Sequence, residues 1–411
     1  MMKRKLIQLL STCMCIAMIA GCAPMNDRDL ADNNSTEAIK KKGEWNEEIN
    51  KLKSYKPADL PEHINIDVSN SILIDADISV SRNLDEYQVL GLKLKLHLFD
   101  VDNDLDKVLK LMGNPKVVKR EKGESEETLP DEKTKLRSNT AYLNETSFVQ
   151  IRDSRVMVCA LDNTPYTVSS GVSGYYNNLF SIPDDIAGTL YKEDKELGFM
   201  KVEQAKKDVE KFFEEVGADN ICNLKCFSCD KESIQEEVND SLADMKNGGR
   251  DESDIPQIDK VTTKDEGYYI VAQQGYNGVP YLPVQADLSI SNTFTIYGTR
   301  MELLLTENGI IDATIDDLFQ AEEHGQKYEI VSVGDILDTF IELHNDETST
   351  VKNIVKNVGL YYLPVLKDKE NMCFDAYPVY CVIYDLPSAD NAGFVTREFN
   401  IFDAVTGERI Q

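Results

Sequence analysis

Leu90-Gly91-Leu92-Lys93-Leu94-Lys95-Leu96-His97-Leu98 decides the fold class. Leucine at every second position puts the apolar side chains on one face of an extended segment and Gly, Lys and His on the other, the pattern of a half-buried strand in an antiparallel sheet. Upstream, Ile64, Ile66, Val68, Ile72, Ile74, Ala76, Ile78 and Val80 repeat the period between Asn, Asp and Ser. The body of the chain therefore opens as β-sheet.

Working outward, the period changes several times. Leu105 to Met112 reads as a short helix closed by Gly113 and Pro115. The charge-dense stretch from Arg120 to Ser138, which contains Pro130, is expected to be a loop. Strands are expected at Ser147 to Arg152 and Arg155 to Leu161, before a Gly/Ser/Tyr-rich connection through Gly171, Gly174, Tyr175 and Tyr176. Val202, Ala205, Val209, Phe212, Phe213 and Val216 fall on one helical stripe, with Gly217 where a left-handed stop belongs. A second helix follows Ser233, which forms a capping box with Glu236 and buries Ile234, Val238, Leu242 and Met245. Arg250 to Gly267 is an acidic linker.

Strands resume at Tyr268 to Gln274 and Thr293 to Leu305, and Asn308-Gly309 turns the chain into Ile310 to Ile315. Ser332 starts a helix with Ile336, Leu337, Phe340 and Ile341 on its apolar face. Leu360 to Leu366, Pro378 to Tyr384 and Arg397 to Phe402 read as strands, while Val351 to Val358 fits either period. The expectation is an α+β protein of antiparallel sheets with amphipathic helices packed on one face, divided at 64–198 (mainly β), 199–330 (α+β) and 331–411 (α+β).

The chain has 411 residues, enough for two or three domains, and 42% hydrophobic residues, enough for real cores. Its formal net charge of −28, with no segregated basic patch, argues against nucleic acid as a partner.

Lys3, Arg4 and Lys5 precede the apolar run Leu6 to Ala20, a secretion signal too short to cross a bilayer as a helix. It ends in Ile19-Ala20-Gly21-Cys22, which resembles the bacterial lipobox. The resemblance implies a diacylglycerol in thioether linkage on Cys22, cleavage of residues 1–21 behind Gly21, and attachment to the extracytoplasmic face of the cell membrane. Two acyl chains give stable anchoring where one gives marginal binding. Residues 22–63 are then expected to be a polar tether, with a lone solvated helix around Trp45 within Ser35 to Tyr55.

The ending Phe402-Asp403-Ala404-Val405-Thr406-Gly407-Glu408 resembles the last strand and turn of PepSY-type modules of secreted bacterial proteins, and Tyr276-Asn277-Gly278-Val279-Pro280 looks like a strand connection of the same group. The whole chain resembles uncharacterised lipoproteins of Gram-positive bacteria built from such modules. That resemblance implies regulation through protein partners in the envelope, without an assigned active site. Tyr281-Leu282-Pro283-Val284 recurs as Tyr362-Leu363-Pro364-Val365, but these lie 81 positions apart whereas the helix starts near Val202 and Val333 lie 131 apart, so no simple duplication relates them.

Few residues suggest chemistry. Cys222-x-x-x-Cys226-x-x-Cys229 has the spacing of a radical-SAM cluster, but Ser228 stands where an aromatic is expected, and no fourth zinc ligand is close in sequence. The cysteines Cys159, Cys222, Cys226, Cys229, Cys373 and Cys381 read as reduced core thiols. Asp100-x-Asp102-x-Asp104 begins like a calcium loop but has Leu105 and Leu111 where glycine and glutamate are required, so it reads as a helix start. Gly171-Val172-Ser173-Gly174 lacks a nucleophile-elbow frame, and His63, His97, His324 and His344 stand near no nucleophile motif. Asp316-Asp317 and Glu322-Glu323 read as solvated faces. The sequence thus points to a non-catalytic envelope lipoprotein without metal or cofactor that binds a protein partner; a solute-binding lipoprotein of a transport system or an envelope hydrolase are the alternatives.

Overall fold

The computed structural model describes residues 45–410 apart from 85, 129–132, 162–163, 168–190, 251–254, 256–259, 283–298, 345–350 and 388–394. Residues 45–411 form one compact unit. In chain order its elements are α1 (Trp45–Ser54), β1 (His63–Asp67), β2 (Ile72–Ser79), β3 (Gln88–Leu96), α2 (Asn103–Leu111), β4 (Lys119–Thr128), β5 (Lys135–Tyr142), β6 (Phe148–Arg152), β7 (Arg155–Cys159) and β8 (Lys192–Glu193). There follow α3 (Val202–Val216), β9 (Ile221–Cys229), α4 (Lys231–Asn247), β10 (Gly267–Tyr276), β11 (Val279–Pro280), β12 (Arg300–Thr306), β13 (Gly309–Asp316), β14 (Phe319–Glu329), α5 (Val333–His344), β15 (Asn353–Asp368), β16 (Cys373–Pro387) and β17 (Val395–Asp403).

The protein is α+β with two extensive sheets. One runs β1-β2-β15-β16-β3-β14, with β17 also on β16; the other runs β4-β5-β6-β7-β13-β12-β10-β9-β8, with β11 on β10. Pairing is antiparallel except between β2 and β15. The first sheet draws strands from each of the segments 64–198, 199–330 and 331–411, so sheet membership cuts across that linear division: β3, for example, pairs with both β14 and β16. Period along one strand says which residues share a face and nothing about which distant strand lies beside it.

The amphipathic helices form where their stripes predicted. α3 buries Val202, Ala205, Val209, Phe212, Phe213 and Val216, and Gly217 stops it at φ 114°. Ser332 and Asp335 cap α5 reciprocally, the Asp335 N–H donating to the Ser332 hydroxyl at 3.2 Å and the Ser332 N–H to the Asp335 carboxylate at 3.1 Å. α4 starts earlier than expected, because Asp230 rather than Ser233 is its cap: the Asp230 carboxylate accepts the Ser233 N–H at 2.9 Å.

The helices do not share one face of the larger sheet. On β10, Tyr268, Ile270 and Ala272 join the core beneath α2 and α3, while Tyr269 and Val271 pack in the cluster that holds Ile234 and Val238 of α4. Both faces of this strand are apolar, so both had to be covered. In the smaller sheet, α1 and α5 pack into the main core through residues such as Ile49, Leu52, Ile336 and Phe340.

Two further expectations are corrected. The stretch 120–138 is largely the hairpin β4–β5 rather than a loop; its strands are held by ladder hydrogen bonds at a sheet edge, where charged side chains stay in water and leave no apolar period to read. The helix around Trp45 is not solvated on all sides: Ile49 and Leu52 are buried, and α1 docks so closely on α5 that a Cβ on Gly334 would lie 2.7 Å from the Ile49 carbonyl oxygen. The compact unit Trp45–Gln411 therefore takes in residues of the expected tether.

The two sheets meet at a buried junction. The Gln274 amide on β10 donates to the Phe319 carbonyl at 2.7 Å and accepts the Phe319 N–H at 2.8 Å at the start of β14, and donates also to Asp219 at 2.7 Å. Tyr281 forms a parallel bridge with Tyr362, and the Leu282 N–H donates to the Tyr362 carbonyl at 2.7 Å, so the two Tyr-Leu-Pro-Val repeats begin side by side. Replacing Gln274 with Leu would strand the buried N–H and C=O of Phe319 and cost about 2–6 kcal/mol, from about 1–3 kcal/mol per unmet group. The predicted outcome is a clear fall in the urea midpoint with an unchanged m-value; a midpoint within error of the parent protein would contradict it.

Candidate functional site

The strongest concentration of perturbed ionisable groups lies on the sheet face that α4 partly covers, across β7, β13, β12 and β10. Alternation puts Met301, Leu303 and Leu305 into the α2–α3 core and turns Arg300 and Glu302 to the opposite side. Register then aligns charges: Arg155 stands opposite Asp316, and Asp316 opposite Arg300. Arg155 donates to both Asp316 oxygens, one at 3.1 Å. Arg300 and the Tyr269 hydroxyl donate to the two oxygens of Glu302. Glu302 and Asp316 are each only 3% exposed, so these partners replace the water that the carboxylates lose.

Burial raises the carboxyls of Glu302 and Asp316, and the neighbouring guanidiniums Arg300 and Arg155 pull them back. Asp312 lies diagonally across from Glu302, since its register partner is Leu304 while Glu302 faces Thr314. Burial first, and the Glu302 charge second, push its carboxyl up to about 7. A carboxyl in this range can give or take a proton at neutral pH, the property of a general acid or base. Nothing in local sequence identified Glu302 or Asp312, because alternation within Arg300 to Thr306 and Gly309 to Asp316 shows a polar face without showing that this face is covered.

The residues singled out in the sequence lie elsewhere. Asp316 and Asp317 are buried rather than solvated, Asp316 by its arginine and Asp317 beneath the start of β12, where its carbonyl accepts the Thr299 hydroxyl at 3.0 Å. Cys226 and Cys229, three positions apart on β9, join opposite cores, Cys226 the one under α2 and α3 and Cys229 the one under α4. Three irons cannot be held from two faces of a sheet. Burial pushes the Cys222 and Cys226 thiols up to about 12 and Cys229 also upward, away from the thiolate that a metal or nucleophile needs. Among the described residues, no group of three or more His, Cys, Asp or Glu is arranged to hold a metal ion.

Asp100-x-Asp102-x-Asp104 opens α2, the Asp100 carboxylate accepting the Asp102 and Asn103 N–H groups at 3.2 Å each. His63 lies between Asp77 at 2.8 Å and Asp75 at 3.2 Å. His97 packs edge-on against Phe99. His344 stacks between Phe340 and Tyr384 and pairs with Asn400 at 2.6 Å. These three therefore occupy separate places in the fold. Gly21, Cys22, the Gly171 to Tyr176 connection and the His324 side chain lie outside the described residues, and no described helix is long and apolar enough to cross a membrane.

The raised carboxyl of the half-buried Asp312 predicts a stability that depends on pH. Its folded carboxyl titrates near 7 and an unfolded one near about 4, so the folded state holds the extra proton between these values and stability falls as pH rises through that window. Asp312→Asn keeps a neutral group there. Thermal unfolding should show the variant gaining on the parent between pH 5 and pH 8; a constant difference across that range would refute the assignment.

No protein-family profile matches the chain, and comparison with curated proteins finds no similar sequence. Among solved structures, the fold is similar to that of an uncharacterized protein from Eubacterium rectale ATCC 33656, with a TM-score of 0.67 and 18% identity over 90% of this chain and 99% of that one.

Proposed function

We propose that this protein is a lipoprotein of the extracytoplasmic face of the cell membrane, held by a diacylglycerol on Cys22 after cleavage behind Gly21. Its body acts without catalysis as an interaction module for another envelope protein. The observation that carries the anchoring is the run Lys3 to Cys22, a basic start, an apolar stretch and the lipobox-like Ile19-Ala20-Gly21-Cys22. An anchor at Cys22 would precede in sequence the compact unit that starts at Trp45, with the polar stretch 23–44 between them.

The reading of the C-terminal part as PepSY-like is supported by its layout, in which α5 precedes three strands joined as β15-β16-β17. The motif Asp403 to Glu408 also has a physical role there. The Asp403 carboxylate accepts the N–H groups of Val405 at 2.7 Å and Thr406 at 3.0 Å, and Gly407 takes the left-handed conformation at φ 77°. One observation favours a second reading, solute capture or hydrolysis: the half-buried Asp312, its carboxyl raised to about 7, stands diagonally across from the buried Glu302.

In a bacterial host, the parent protein should partition into detergent and carry a diacylglycerol on a mature terminus at Cys22 by mass spectrometry. Cys22→Ser should leave the detergent phase and lose that mass. An unmodified amino terminus on parent protein recovered from the cytosol would end this proposal.

A further inference from the structure

β4 is the terminal strand of the larger sheet, paired only with β5 along its ten residues, Lys119 to Thr128. Val118 to Glu124 are exposed without a break, and Val118, at 59%, is the most exposed large hydrophobic residue described. Long open edges invite pairing with another strand, and proteins ordinarily shorten, cover or charge them. Here the edge is long and its charges are segregated. Lys119, Arg120 and Lys122 precede Gly123, and the sequence 124–127, Glu-Ser-Glu-Glu, follows it.

An antiparallel strand related to β4 by a twofold axis at Gly123 would meet it in complementary register. Each residue n would face residue 246 minus n of the other copy, which sets Lys122 opposite Glu124 and Arg120 opposite position 126, twice over by symmetry. The glycine stands opposite itself, where no side chain obstructs the approach. Register with β5 is regular from Lys119 to Glu124 and shifts only beyond it, so the centre of such a pairing is ordinary strand. Lys122 and Arg120 already reach Asp102 at 2.7 Å and Asp106 at 2.6 Å on α2. Both remain largely exposed, and an incoming glutamate would complete a charge network instead of displacing a buried pair. We propose that β4 is a self-pairing edge through which two copies of this chain join antiparallel about a twofold axis at Gly123. On a membrane surface, anchoring would raise the local concentration of copies and favour such a contact.

The test uses the full-length chain in membranes and purified in detergent. Gly123→Cys should give a covalent dimer on mild oxidation well above the parent background, because opposed residues in antiparallel strands place their Cα atoms about 4.5–5.5 Å apart, within disulfide range. Glu121→Cys, whose opposite position is 125, should cross-link far less. By sedimentation at low salt, Lys122→Glu should weaken dimerisation about tenfold, from two like-charge pairs at up to about 1 kcal/mol each, and Glu124→Lys should do the same. Lys122→Glu with Glu124→Lys should restore it, with circular dichroism and melting confirming that each variant folds. A monomer at low salt, a Gly123→Cys chain that cross-links no better than the parent, or a dimer indifferent to the reversals would overturn the proposal.

Discussion

One buried amide ties the two sheets together. Gln274 is fully buried on β10, and its side chain satisfies both backbone groups of Phe319, where the chain crosses from the larger sheet into β14 of the smaller one. A buried amide is stabilising only when its donors and acceptor are met, and here two donor bonds and one acceptor bond are made. Phe319 then packs edge-on against Tyr281, and Tyr281 bridges to Tyr362. This small polar and aromatic junction thus joins β10 and β14, strands of the two sheets.

With the junction fixed, the larger sheet is a two-sided problem. Its strands carry apolar residues to α2 and α3 on one side and to α4 on the other, yet the α4 side does not stay apolar across the sheet. It passes from Tyr269 and Leu304 to Glu302, Asp312, Asp316 and their arginines. Paired charges on a buried face add little net stability compared with apolar packing, because desolvation offsets most of the attraction.

How much of this was legible in the sequence depended on whether the deciding contact was local. The leucine alternation of β3, the stripe of α3 with Gly217 and the cap of α5 are set by residues a few positions apart, and they could be read. The β4–β5 hairpin could not, since an edge strand of charged residues buries nothing and has no period. The Arg155–Asp316 alignment was equally invisible, because it arises from the pairing of β7 with β13 across 161 positions. The repeated Tyr-Leu-Pro-Val stood out in the sequence, and only the pairing of Tyr281 with Tyr362 gave it a meaning, as two strand ends meeting at the junction.

The distribution of positive charge links these features. In a chain of net charge −28, several arginines are committed to buried carboxylates: Arg137 to Asp153, Arg155 to Asp316, Arg300 to Glu302 and Arg397 to Asp385. Each such pair is neutral overall, so the net charge carried by the rest of the chain remains −28. A surface carrying that excess of acid repels copies of itself. Against that background, Lys119, Arg120 and Lys122 along the exposed part of β4 are a local reversal of sign beside an acidic run on the same strand. Set against general repulsion, the complementary edge is where the proposed pairing of two copies would be least opposed.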